Sequence, residues 1–235
     1  MAQSRIEFIM TLRRGESLLV TIGIPAGLLL LFSLIPITST SKHPVDLLLA
    51  GTLAIAVMAS AMVSLGISTG YERHYLVLKR LGGTPLGRAR LIAAKIITIL
   101  AIEVLQTILL IGLAIFVLHA HNNISWAALG ATILLGTAAF AGIGSSMAGR
   151  LRAEANLTAA NALFLLLLVF GGSVVPLSRL PHALAAVARA LPAAPLTEMM
   201  KWAVRGGAIP FHSLIVLSAW AVITLVLAIK TFSWE

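Results

Sequence analysis

Residues 96–118 read IITILAIEVLQTILLIGLAIFVL, twenty-three positions with Glu103 as their only charge and no proline. About 20 apolar residues cross a hydrocarbon core of roughly 30 Å as a helix, and inside that core every backbone N–H and C=O has to be bonded within the segment. A run this long and this apolar is therefore a membrane-crossing helix. The same test picks out residues 18–37 and 47–70 before it and 126–148, 157–175 and 213–232 after it. The sequence thus predicts an all-α integral membrane protein of about six spans, forming one transmembrane domain over residues 1–235.

The whole chain has the same character. Of its residues 59% are hydrophobic and 11% charged, and the mean hydropathy is +1.02, whereas soluble domains are about one-quarter charged. Absence of cysteine removes disulfides and cysteine-ligated zinc, haem or iron–sulfur chemistry. A formal charge of +9 would point to nucleic acid in a soluble protein, but here the basic residues sit in short segments between apolar runs, so membrane topology accounts for them and no nucleic-acid partner is expected.

Those basic residues also set the orientation. Arg5, Arg13 and Arg14, six Lys/Arg in the 71–95 segment, Arg150, Arg152 and Lys230 fall on one side, against Lys42, Arg179, Arg189, Lys201 and Arg205 on the other. Both termini are predicted to face the cytoplasm. The first apolar run is too long for a signal-peptide core and comes after Glu7 and Glu16 as well as arginines, so it reads as a retained span. Ser4 and Glu7 have capping-box spacing ahead of Ile6, Phe8, Ile9 and Met10, which predicts an interfacial helix before that span.

Two loops have internal order. The inner 71–95 segment holds a charged stretch from Glu72 to Arg80, then Leu81-Gly82-Gly83, then Thr84-Pro85 as N-cap and first-turn proline. It predicts a short helix, a tight turn and a second helix that runs into the third span. The outer 176–210 segment carries Pro176, Pro181, Pro192, Pro195 and Pro210, with Leu180, Leu184, Val187 and Leu191 at helical spacing opposite His182 and Arg189. Short helices that dip into the outer leaflet or cap the bundle are expected there.

Chemical motifs are sparse. Gly82 to Ala89 has the glycine spacing of a phosphate loop but Arg88 for its lysine and Ala89 for its hydroxyl, so ATP hydrolysis is expected on another chain. His119 and His121 lack nearby carboxylates and predict no metal site. Gly142-Ile143-Gly144-Ser145-Ser146 contains a serine, but the histidines all lie in loops or at span ends, so small-residue helix packing is the better reading than a protease nucleophile. Glu103 is the only acid deep in a span, with Gln106 one turn on. It predicts either a polar contact lining a substrate path or a structural hydrogen bond between helices. Glu198, Lys201 and Arg205, at i, i+3 and i+7, read as a solvated face or as an ion pair at an outer gate that would also include Pro176, Pro181 and Pro192.

The run Tyr71 to Arg88, ending in Lys95, resembles the inner loop of ABC-2-type transporter permeases, which carry an E-R…L-K-R-L…T-P-L…K pattern between spans two and three. Gly171 to Pro176, followed by Leu180-Pro181 and Leu191-Pro192, is similar to that family's proline-bearing segment between spans five and six. The resemblance implies a permease subunit of an exporter in the cell membrane, of the bacterial cytoplasmic type, that pairs with a second copy or a sister permease and binds an ABC ATPase subunit carrying ATP and Mg. The chain itself would bind no cofactor and catalyse nothing. Glu72, Arg73, Leu78, Lys79, Arg80, Gly82, Gly83, Thr84 and Pro85 would form the coupling helix against the ATPase. A hydrophobic or amphiphilic substrate is implied, a drug or antibiotic first and a lipid or glycan precursor next. An ion-coupled transporter using Glu103 is the alternative.

Overall fold

The structure is a computed structural model and describes residues 15–34, 44–82, 87–120, 123–173 and 177–232. Helix α1 is Gly15–Leu34. Helix α2, Pro44–Met58, passes without interruption through a π-helical turn, Ala59–Ser64, into α3, Leu65–His74. The short α4, Val77–Gly82, precedes α5, Arg88–Phe116. After these come α6, Trp126–Ala148, and α7, Ala153–Phe170. A 3-10 turn at Leu177–Arg179 leads to α8, His182–Ala190, α9, Ala193–Arg205, and α10, Phe211–Thr231.

Among the described residues five helices are long and apolar enough to cross a membrane: Val45–His74, Arg88–Phe116, Trp126–Ala148, Ala153–Phe170 and Phe211–Thr231. The apolar part of α1, Gly23–Leu34, is shorter. The chain is a multi-pass, all-helical membrane protein. The interfacial helix expected around Ser4 and Glu7 lies outside the described residues, as do Gly83, Thr84, Pro85 and Pro176.

Helix bounds depart from the sequence reading where hydropathy alone gave the limits. The third span does not begin at 96: α5 starts at Arg88 because Leu91 and Ile92 are already buried on one face, so loop helix and span are one rod. Its N-cap is Gly87, with extended backbone, rather than Thr84. The fifth span starts at Ala153 and stops at Phe170 instead of running 157–175, since the chain turns at Gly171 and Gly172, the latter at φ +69° where a side chain would be strained.

Helix α6 is the axis of the bundle, and its small residues explain why. A Cβ added to Gly144 would sit 2.6 Å from the Met62 carbonyl oxygen in the π turn, and one on Gly142 2.6 Å from the Thr224 backbone carbon of α10. One at Gly136 would meet Leu196 of α9 at 2.7 Å. In a bilayer, where apolar burial does not drive helices together, such close backbone approach is the main source of packing energy. The Gly142–Ser146 cluster is thus a helix-packing stripe, as its composition predicted.

Helix α9 has two faces. Glu198 and Lys201 are half-buried and Arg205 is exposed on the polar one. Leu196, Met199, Met200, Ala203 and Val204 are buried on the side packed against α2, α6 and α10. The helix is wedged into the bundle, while α8 beside it keeps Leu184 and Val187 exposed at its surface.

Candidate functional site

Three polar regions stand out from the apolar bundle. The first is the elbow after α3. Tyr75 and Leu76 interrupt the helix, with Leu76 at φ +58°, a left-handed conformation that costs a leucine about 1 kcal/mol and has to be held by its surroundings. The Tyr75 amide still donates to the Tyr71 carbonyl at 2.9 Å and that of Leu76 to the Arg73 carbonyl at 3.0 Å, so the end of α3 is closed before α4 starts.

Four contacts brace this elbow. Leu78 is fully buried in a small cluster with Leu91 and Ile92 of α5 and Ala228 and Phe232 at the end of α10. Lys95 of α5 donates to Glu72 at 2.7 Å, with Lys95 6% and Glu72 31% exposed. Arg73 donates to the Leu151 carbonyl in the link between α6 and α7. Tyr71 and Tyr75 stack with ring centroids 6.2 Å apart, and His74 meets Tyr75 edge-on at 5.2 Å. What remains on the outside is Tyr75, Leu76 and Val77, at 67, 53 and 41% exposure, flanked by Lys79 and Arg80.

The residues picked from the sequence therefore divide. Glu72, Arg73 and Leu78 face inward or sideways as braces, Lys79 and Arg80 face outward, and Gly82 closes α4. The apolar tip Tyr75-Leu76-Val77 was missed. A non-glycine residue in a left-handed bend has no sequence signature, but three consecutive large residues between charged neighbours were a signal.

The second region is buried. Glu103 and Gln106 are each 1% exposed. Thr137 of α6 donates to Glu103 Oε2, and Ser60 in the π turn donates to Gln106 Oε1 at 3.0 Å. The Glu103 Oε1 atom is buried and has no hydrogen-bond partner among the described residues. π-Helical turns often mark functional sites, because the extra residue in the turn displaces side chains from regular register. Here it brings Ser60 to Gln106, a contact no spacing rule predicts.

The third region lies at the opposite end. Glu198 accepts from Ser213, and Lys201 donates to the Gly172 carbonyl at 3.2 Å. Burial holds the Lys201 ammonium below its ordinary pKa, with Glu198 opposing that shift and Arg205 adding to it. These side chains line an open cleft of about 400 Å³ with Trp202 and Pro210. Pro192 is buried at the start of α9 and Pro181 is exposed before α8.

No group of three potential metal ligands occurs among the described residues. A bundle of long apolar helices, a braced elbow at one end and a polar contact in its interior define a membrane transport component. Residues 32–230 match the family described as ABC-2 family transporter protein. That is most of the chain, and the protein belongs to this family. No curated protein matches the sequence.

Proposed function

We propose that this chain is the membrane-spanning permease subunit of an ATP-binding cassette exporter, driven by ATP and Mg on a separate ATPase subunit that seats on the Tyr75–Arg80 elbow. The observation that carries the reading is the bracing of that elbow. An exposed apolar tip with two cations, tied by Leu78 and by the Glu72–Lys95 pair to the start of a span, is built to receive a rigid-body push and pass it into the bilayer.

The remaining parts fit around this. Helix α1, at 20 residues, supplies a sixth span of about 30 Å. The excess of Lys/Arg on the elbow side supports a cytoplasmic location for that side and for both termini. The protein then sits in a cell membrane, of the bacterial cytoplasmic type, paired with a second copy or a sister permease. The apolar spans suit a hydrophobic or amphiphilic substrate, with drugs and antibiotics first and lipid or glycan precursors next. Glu103 and Gln106 are its polar contacts within the bundle, and Glu198 with the prolines of the outer segment forms the exit. The family match favours this reading over the ion-coupled alternative.

The test is affinity purification of the tagged chain from its native membrane in mild detergent, with mass spectrometry and an ATPase assay on the eluate. A near-stoichiometric nucleotide-binding subunit with vanadate-sensitive hydrolysis is expected. Its recovery should fall at least tenfold with Val77→Asp, which places a charge on the apolar tip without touching the braces. A lone chain without hydrolysis across several detergents would refute the proposal.

A further inference from the structure

Behind the elbow lies a cavity of about 570 Å³. Its walls come from two spans at the point where both leave the hydrocarbon: Tyr71, Arg73, His74 and Tyr75 at the end of α3, and Arg152 and Glu154 at the start of α7. The volume is within the roughly 300–1,000 Å³ of small-molecule sites.

The lining has a definite chemistry. Arg73 is half-buried, and its bond to the Leu151 carbonyl takes one of the five N–H donors of the guanidinium and so fixes its plane. Arg152 is exposed at the other wall, and as N-cap of α7 it gives no side-chain cap to the first-turn amides. Two arginines converging on one cavity favour a phosphate group, which a guanidinium binds through two oxygens at once. Stacked Tyr71 and Tyr75 supply the apolar-bodied, polar-tipped side chains typical of the headgroup level. Glu154, on the same rim, suits a ligand that also carries hydroxyl donors.

The cavity's surroundings distinguish a lipid from a free anion. Helix α7 turns much of its surface outward, and Leu157, one turn below Glu154, and then Leu165, Leu166 and Val169 are exposed along it. A ligand with its phosphate between Arg73 and Arg152 would have its acyl chains along that face. We infer that this cavity is a binding site for the headgroup of an anionic glycerophospholipid, with the phosphodiester on Arg73 and Arg152, headgroup hydroxyls on Glu154 and the chains along α7. The inference is independent of the exporter reading, since it requires only that α3 and α7 end at a membrane surface.

The experiment is native mass spectrometry of the full-length chain released from detergent, titrated with phosphatidylglycerol, phosphatidylcholine or inorganic phosphate. Wild type is expected to retain one phosphatidylglycerol at concentrations where phosphatidylcholine is lost. Arg152→Glu should weaken that retention on the order of tenfold, as loss of one cation and gain of an anion at a membrane surface requires. Arg189→Glu, the same charge change on exposed α8, should leave it unchanged. Equal retention of the two lipids, equal loss in both variants, or full displacement of phosphatidylglycerol by millimolar phosphate would each overturn the assignment. Arg152 is exposed and its side chain caps nothing, so a folding failure is not expected; unchanged elution from size exclusion verifies this.

Discussion

The Glu72–Lys95 pair offers a test in which two substitutions of one contact should differ. The charges are 2.7 Å apart, but the ammonium is 6% exposed and the carboxylate 31%. Glu72→Gln leaves a nearly buried ammonium without its counter-charge, and stranding a buried charge costs about 3–5 kcal/mol. Because the glutamine amide still offers an acceptor oxygen, the expected loss is about 2–3 kcal/mol, on the order of 5–10 °C in Tm for a chain of this size. Lys95→Met removes the buried charge instead and replaces it with an apolar side chain of similar length. The remaining carboxylate can turn to water, so the loss should stay near the value of an exposed pair, about 0.2–1 kcal/mol.

The double variant, Glu72→Gln with Lys95→Met, should therefore be more stable than Glu72→Gln alone, a coupling of about 1–2 kcal/mol in a double-mutant cycle. Thermal unfolding in one detergent, followed by size-exclusion chromatography, measures all four species. If Lys95→Met is as damaging as Glu72→Gln, the pair is not held by charge burial and the bracing argument fails. In the assembled transporter both single variants should lower the amount of substrate moved per ATP hydrolysed, because each loosens the root of the elbow on α5.

Three further outcomes are expected. Gly142→Ala should lower stability by about 2–4 kcal/mol through overpacking against the Thr224 backbone, whereas Gly130→Ala, with nothing within 4 Å of its added Cβ, should be neutral or slightly stabilising; equal Tm shifts would contradict the packing stripe. Glu103→Gln keeps the Thr137 contact and should change stability by about 1 kcal/mol or less while altering substrate-stimulated ATPase activity; identical stimulation at every substrate concentration would make Glu103 a structural residue only. The chain has no cysteine, so Val77→Cys and Leu78→Cys can be labelled one at a time. An impermeant maleimide should modify the first at least tenfold faster, since Val77 is 41% exposed and Leu78 buried, and the bound ATPase should protect it.

The long helices were legible because length and hydropathy constrain a helix in lipid so strongly: the apolar run 126–148 is helix α6, and the runs 47–70 and 213–232 overlap the helical segments Val45–His74 and Phe211–Thr231. Their ends were not, because Leu91 and Ile92 extend a buried face past the edge of the apolar run, and Gly172 ends α7 through its backbone angle. In α9 the charges at 198, 201 and 205 marked the polar face that lines the cleft, while 196, 199, 200, 203 and 204 form an equally regular apolar stripe that seats the helix in the bundle. Glu103 stands out in the sequence because a lone acid in a span is costly. Its partner Thr137 and the Ser60–Gln106 bond depend on how α5, α6 and the π turn cross, which no local pattern encodes.

What joins the elbow to the interior is α5 itself. Lys95 and Glu103 lie on one helix about 12 Å apart, the first tied to α3 and the second to α6, while Gln106 reaches the π turn between α2 and α3. The segment Val45–His74 is thus held by α5 at both its elbow end and its middle, and the middle contact falls where the helix is already irregular. A rigid rod would move as one body under a push at Tyr75-Leu76-Val77. A rod with a π turn halfway can change register there, since moving one residue in or out of the turn shifts the rest of the helix by about 1.5 Å and 100°. Displacement at the elbow would then reach Ser60 and Gln106 as an altered contact. The Oε1 atom of Glu103, one turn from Gln106, is buried without a hydrogen-bond partner among the described residues, so a rearrangement of the π turn would change which groups can reach it.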